Sequence, residues 1–334
     1  MPAVTPTTGK FGSSKVLFLV DGYSMLAAKI QSLRHKVGIV TEPSHGIGDG
    51  WPEHLPTGKR FAELAQEGAF FDTSPGSSHA ALNGASAEPT DPARIACVGF
   101  ASNAVGQPFT GYEGVLQAEY EVLSQLEQLQ RANAMHTVSG KAEDGVIVHA
   151  LTTETADGNS EGSSVDNTTA PQRTVPITSS AAAGDLITCP APHGLAVGDT
   201  VLISGHSGST PALNGVQTVA TTPSLTTFSV SVDITVGGTG GSFVRAKTNA
   251  GAVGYLQVTD HQLGSFSGAV VTLRHSDDDS VFVDLLAFSA ETLARHAQRV
   301  TAAGAVRRYA AQSLDRTGAG SGGSITYLVG LARN

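Results

Sequence analysis

The sequence predicts a mainly β architecture, on three observations. Glycine supplies 39 of the 334 residues. Charged side chains make up only 15% and aromatic ones 6%, a composition that suits many short strands and turns better than long helices. Short apolar runs also alternate with turn clusters, over a length that allows two or three domains.

The first strands are read at KVLFLVDG (15–22) and KIQSLRHKVGIV (29–40). The loop TEPSHGIGDGWPEHLPTG (41–58) holds three prolines and the only tryptophan, and it exceeds the usual connection length, which marks functional loops. KRFAELAQEGAFFD (59–72) fits a strand or a helix. In SPGSSHAALNG, Ser74 as cap, Pro75 at the first helical position and Gly84 as stop predict a short helix. Residues 113–131 satisfy two patterns: Leu116, Ala118, Tyr120 and Val122 alternate as in a half-buried strand, while Val122, Leu126 and Leu129 keep helical spacing.

Between 173 and 249 the runs shorten to DLITCP, DTVLISG, VQTVAT, TFSVSVD and GSFVRA, the pattern of a small β domain. NTTAPQRTVP and AKTNAGAVG read as linkers on its two sides. From 253 onward VGYLQVTD, GAVVTLRHS, VFVDLLAFS, RRYAAQSLD and SITYLVGLA are strands, with DDDS and RTGAGSGG as polar turns. Their spacing suggests a sandwich or barrel. The expected division is a β domain at 1–140, a second β-sandwich from 141–172 with 250–334, and an inserted small β domain at 173–249.

Charge separates these parts. Residues 1–172 carry 10 Lys+Arg against 19 Asp+Glu, 173–249 carry 3 against 3, and 250–334 carry 7 against 7, so the net charge of −9 sits in the first part. Such a surface repels phosphates, which argues against adhesive nucleic-acid binding. Cys97 and Cys189 form no CxxC pair and read as buried small hydrophobes. The N-terminus lacks an apolar run of signal-peptide length and no stretch approaches a membrane span, so a soluble chain made inside the cell is expected.

The stretch LITCPAPHGLAVGDTVLISGHSG (186–208) tests the catalytic reading, because Cys189, His193, Asp199, Ser204 and His206 are residue types that hydrolases use. Each sits where turn chemistry would place it. GHSGS (205–209) lacks the last glycine of a nucleophile elbow and GSFSG (264–268) has Phe at its centre. GAGSGG (318–323) matches GxGxxG but precedes a strand, whereas a dinucleotide site needs a helix there. His45, Asp49, Glu53 and His54 could offer metal ligands, yet at no known spacing. The expectation is therefore no catalytic, cofactor or metal site. The 41–58 loop is expected to serve as a subunit contact, with Trp51 as apolar anchor and Asp49, Glu53 and His54 around it.

The order FLVDGYSML, RHKVGIVTEPSHGIGDGWPEHLPTGKRFAELAQEGAFFD, IACVGFASNAVGQPFTGYEG and RANAMHTVSGKAEDGVIVHAL resembles the tail tube (major tail) proteins of long-tailed bacteriophages, over roughly the first 150 residues. TLRHSDDDSVFVDLLAFSA, AQRVTAAGAVRRYAAQSLD and SITYLVGLARN resemble the end of the same proteins. PHGLAVGDTVLISG, PALNGVQTV and FSVSVDITVGGTGG are similar to small β modules inserted in phage structural proteins.

This resemblance implies a structural, non-enzymatic virion protein of the tail, made in the host cytoplasm. Its fold would be a tail-tube β-sandwich or barrel with a short helix, and 113–131 would be strand. The subunits would form rings that stack, through the 41–58 loop, into a tube that works with other tail proteins and passes DNA without specific binding. GAFFDTSPGSSHAALNG (68–84) and VHALTTETADGNSEGSSVDNTTA (148–170) each run from a strand into a GSS turn. If they mark a duplicated tube domain, three chains complete a ring of six domains; otherwise the ring takes six chains. The competing reading is a carbohydrate-binding fibre or surface protein, against which the scarcity of aromatics counts.

Overall fold

The computed structural model describes residues 16–25, 30–43, 54–71, 79, 81–83, 94–100, 102–124, 129–167, 174–247, 251–318 and 320–333. The protein is mainly β, with three antiparallel sheets. The first strands are β1 (Leu17–Val20), β2 (Tyr23–Ser24), β3 (Ser32–Pro43), β4 (His54–Phe70), β5 (Arg94–Gly99), β6 (Pro108–Leu123), β7 (Arg131–Val138) and β8 (Ala142–Glu154). Short β9 (Gly158–Asn159) and β10 (Val165–Asp166) follow. Next come β11 (Val175–Pro176), β12 (Ser179–Ala181), β13 (Leu186–Thr188), β14 (Thr200–Ser204), β15 (Gly215–Thr221), β16 (Thr227–Val230) and β17 (Ser242–Lys247). The chain ends with β18 (Ala252–Gln262), β19 (Gly268–Ser276), β20 (Val283–Ala287), β21 (His296–Ala302), β22 (Tyr309–Thr317) and β23 (Ser324–Arg333).

The largest sheet has eleven strands, eight on the path β2-β1-β5-β6-β8-β23-β18-β21, with β3, β4 and β7 off it. β7 and β8 run end to end along one side of β6, Val138 opposite Val115 and Ala142 opposite Tyr112. β4 flanks β7 and β3 flanks β4, while β23 flanks β8. Pairing thus passes without interruption from residues 17–138 into 142–154 and 252–333. A five-stranded sheet of β9, β10, β19, β20 and β22 covers one face, and a seven-stranded sheet is built wholly from residues 175–247.

Local sequence explains several elements. Asp21 and Gly22 form a two-residue hairpin turn, both with positive φ (48° and 77°), the D-G pair that primed hairpin turns favour. A Cβ on Gly22 would lie 2.0 Å from the carbonyl oxygen of Val258, so glycine also lets the turn meet β18. Residues 113–123 lie in β6, and Arg131 opens β7. The helical spacing in this segment yields to ladder pairing with β5 and β7. KRFAELAQEGAF likewise belongs to strand β4, between β3 and β7. Helix appears at His79 and Ala81–Asn83, with Ala81 and Leu82 buried; Ser74, Pro75 and Gly84 lie outside the described residues. β21 had no counterpart in the sequence reading: HAQRVTA shows no clean apolar alternation, and pairing with β18 alone extends it.

The two faces of the large sheet feed different cores. Leu17 and Leu19 of β1, Cys97 of β5, Phe109 of β6, Ile147 of β8, Val253 and Tyr255 of β18, and Leu328 and Ala332 of β23 form one cluster. Strands far apart on the sheet path meet there, so the sheet curls upon itself. On the opposite faces, Phe18, Val20, Ala96 and Val98 pack with β4, β7 and Leu82. Val146, Val148, Leu256, Tyr327 and Val329 pack with Val271, Leu273 and Leu314 of the five-stranded sheet. The 175–247 sheet has its own core, in which Phe228 and Phe243 meet edge to face at 5.2 Å.

Two polar clasps hold the curl. Fully buried Gln257 accepts from the Gly22 N–H at 2.8 Å and donates to the Ile95 carbonyl at 3.1 Å, tying β18 to β1 and β5. Arg299 of β21 grips Glu143 of β8 through two hydrogen bonds of 3.0 and 2.7 Å, and Tyr255 donates its hydroxyl to the same carboxylate. Burial would raise the Glu143 carboxyl, but these hydrogen bonds hold it below its ordinary value.

Two predictions follow from this packing. A Cβ on Gly145 would lie 2.2 Å from the Leu331 carbonyl oxygen and 2.6 Å from the Phe109 ring. Gly145→Ala must therefore push β8 from β23, and it should cost about 2 kcal/mol or more by denaturant titration.

Burial lowers the imidazole of His136 from 6.5 to about 4, and burial also lowers His35, His149 and His261. Between pH 6.5 and 4 the unfolded chain binds protons that the folded chain refuses, so stability must fall as pH falls through that window. His136 alone should account for roughly 3 kcal/mol. Urea titrations from pH 7 to 4 should show the slope, and His136→Leu should flatten it.

Candidate functional site

The chemistry-bearing residues of 186–208 are consumed by turn structure. His193 is buried; its Nδ1 accepts from the Leu195 N–H at 3.0 Å, which leaves the proton on Nε2 to reach the carbonyls of Ser224 (2.9 Å) and Thr227 (3.2 Å). Asp199, fully buried, accepts from the Ala196 N–H at 3.0 Å and lies 3.6 Å from the Arg245 guanidinium. Ser204 ends β14, opposite Ser242. Burial pushes the Cys189 thiol up to about 11 and Cys97 up to about 12, so neither is a thiolate at neutral pH.

His206 makes a contact that its sequence neighbours did not signal. Its Nδ1 donates to the Gly240 carbonyl at 2.7 Å, so Nε2 accepts the Ser180 hydroxyl proton at 2.9 Å. This is the serine–histidine half of a hydrolase triad with a carbonyl in the place of the acid. A carbonyl orients the ring but does not stabilise an imidazolium as a carboxylate does. The Ser180 oxygen also accepts from the Gly238 N–H at 2.8 Å, and both residues are buried, so no substrate reaches the pair. The arrangement ties three loops of the 175–247 sheet together.

GAGSGG lies between β22 and β23, not before a helix, and Gly318, Gly322 and Gly323 have positive φ. No group of three or more His, Cys, Asp or Glu that could hold a metal occurs among the described residues. No helix among them is long and apolar enough to cross a membrane. Of the expected contact loop, Asp49, Trp51 and Glu53, with His45, lie outside the described residues. His54 opens β4 opposite Pro43, the last residue of β3, so 41–43 and 54–58 of the expected loop are strand.

The surface with the least internal explanation is the ladder β3-β4-β7-β6. Cross-strand partners share a face, and the register puts Arg34 and Lys36 with Glu63, Ala65, Met135, Thr137, Leu116, Glu119, Glu121 and Leu123 on one outward face. Lys36 lies 3.9 Å from Glu63, and Asn133 donates to Glu121 at 3.3 Å. The opposite face of the ladder covers the core around Leu64, Ala134 and Val138. β6 changes character along its length: buried from Phe109 to Tyr112, it carries exposed Leu116, Val122 and Leu123, and Leu129 beyond it is 72% exposed. β3 pairs with β4 alone among the described strands, which makes it an edge strand among them.

No family model matches the chain, and no curated protein matches it. Among solved structures, a chain from the virion of the native gene transfer agent particle aligns at 9% identity over 40% of this chain and 98% of that one, with a TM-score of 0.32. The Dit protein (gp 19.1) of phage SPP1, described as a paradigm of the hub adsorption apparatus in phages infecting Gram-positive hosts, aligns at 9% identity over 95% of this chain and 99% of that one, with a TM-score of 0.29. Overlaps this loose leave the architecture to rest on the strand pairing and cores described above.

Proposed function

We propose that this chain is a structural subunit of a long-tailed phage tail. It assembles into rings that stack as the tail tube, works alongside other tail proteins and performs no catalysis. The observation that carries this reading is the β3-β4-β7-β6 ladder. A ladder that ends in β3 as an edge among the described strands and exposes Leu116, Val122 and Leu123 on β6 is unfavourable in an isolated molecule and is relieved when a neighbouring copy covers it. The sequence resemblance to tail tube proteins supports the same conclusion.

In this reading carboxylates of the acidic first part of the chain line the lumen and keep DNA sliding without specific binding. The segment holding Asp49, Trp51 and Glu53, with His54 at the start of β4, joins stacked rings. Residues 173–249 are an inserted domain, while 1–140 and 141–172 with 250–334 are the two β domains of the tube. Three such subunits, or six if the chain contributes one tube domain, close a ring.

Purified protein should form rings or tubes in negative-stain images. Leu123→Glu, which places a charge in the subunit contact, should leave circular dichroism unchanged and shift the protein to monomers by light scattering. Trp51→Ala should keep rings but shorten tubes, since losing a tryptophan anchor costs on the order of 2 kcal/mol at every subunit. A wild-type protein that stays monomeric at high concentration would refute the reading.

A further inference from the structure

A cleft of about 350 Å³ opens between the large sheet and the five-stranded sheet, where the chain leaves β8. It is lined by His149, Thr152 and Glu154 of β8, Asn159 and Ser160 of the following segment, Gln312 and Leu314 of β22, and Tyr327 of β23. None of these belongs to the proposed assembly ladder.

The polar groups of this cleft are held in a fixed pattern. The Tyr327 hydroxyl donates to Gln312 Oε1 at 3.0 Å, which fixes the amide so that its Nε2 donors are left for the cleft; Gln312 itself is only 4% exposed. The Gln312 backbone N–H donates to Ser160 Oγ at 3.0 Å, so the Ser160 hydroxyl keeps its own proton to give. Glu154 Oε1 accepts from Thr152 Oγ1 at 3.2 Å and lies 3.4 Å from His149 Nε2, leaving Oε2 as an acceptor. His149, 7% exposed, stacks flat on Tyr327 at 4.3 Å. Burial holds this imidazole below its ordinary value against the pull of Glu154. Val105, Ala150 and Leu314 supply the apolar part of the wall.

We propose that this cleft binds a single polyhydroxylated ring, a hexose unit of a glycan. A carboxylate oxygen can accept from a ring hydroxyl while the Gln312 amide and the Ser160 hydroxyl donate to ring oxygens. The apolar wall meets the C–H face of the sugar. Phosphate is disfavoured, because Glu154 and Asp157 both face the cleft and Arg316 is engaged by Asp157 at 2.9 Å. The volume admits one ring rather than a chain, so affinity for a free sugar should be weak, in the millimolar range.

The test is ligand-observed NMR on the full chain with glucose, galactose and N-acetylglucosamine, at concentrations up to the order of tens of millimolar. At least one sugar should saturate. Glu154→Ala, at a partly exposed position, should weaken that binding by about tenfold or more, the loss of one charge-assisted hydrogen bond. Gln312→Leu, with its fold checked by circular dichroism, should do the same. Absence of saturation by all three sugars would overturn the proposal, as would saturation unchanged in both variants. Binding is scored whether or not the protein forms rings, so its failure is distinguishable from failure of the tube reading.

Discussion

Burial of β1, β18 and β23 of the large sheet on both faces is the constraint on which the rest of the structure depends. β1, with all four residues buried, and β18 and β23 send alternate side chains into different cores, so these strands cannot be half polar. Three glycines make this possible. A Cβ on Gly111 would meet the Tyr255 ring at 2.4 Å, one on Gly330 the Phe109 ring at 2.4 Å, and Gly145 faces the same phenylalanine. Two large rings, 5.7 Å apart and edge to face, thus fill a curl whose walls are thinned to admit them.

Curling brings Gln257, Glu143 and Arg299 into the same interior, and their hydrogen bonds are made there. An unpartnered buried amide costs about 1–3 kcal/mol, which is why the Gln257 contacts to Gly22 and Ile95 matter as much as the apolar contacts around them. Glu143, Arg299 and Tyr255 show the same logic with charge. The pair is worth little as net attraction, but removing Arg299 would leave a nearly buried carboxylate uncompensated. The Gln257 clasp joins β18 to β1 and β5 from opposite ends of the sheet path, and the Arg299 clasp joins β21 to β8 across the two strands between them, so together they select the curled form over an open one.

The 175–247 sheet solves its folding problem separately. Its strands are short, and buried His193, Asp199 and His206 substitute for the regular ladder by pinning loops to one another. One direct tie to the rest of the molecule is Arg333 at the end of β23, which donates to the Ala246 carbonyl at 2.8 Å; burial lowers its guanidinium to about 9. An arginine so placed fixes how the small sheet departs from the large one at the end of β17.

The sequence by itself determined the β class and many of the strands, among them β13 to β17 of the 173–249 segment. These depend on local composition and on periodicity, which act over a few residues. It also offered no nucleophile elbow or phosphate loop, because those motifs require spacings the chain lacks. The residue pattern of 113–123 fits strand and helix alike and the resemblance implied strand; the tertiary structure makes it one through pairing with β5 and β7. Only it brought Ser180 to His206, Glu143 to Arg299, and Gln312 to Glu154 beside the cleft. Each of those pairs is far apart in the chain and is joined by sheet pairing and curl, which no local pattern encodes. The exposure of Leu116, Val122 and Leu123 was equally hidden, because an apolar strand reads the same whether its cover is the chain's own core or another molecule.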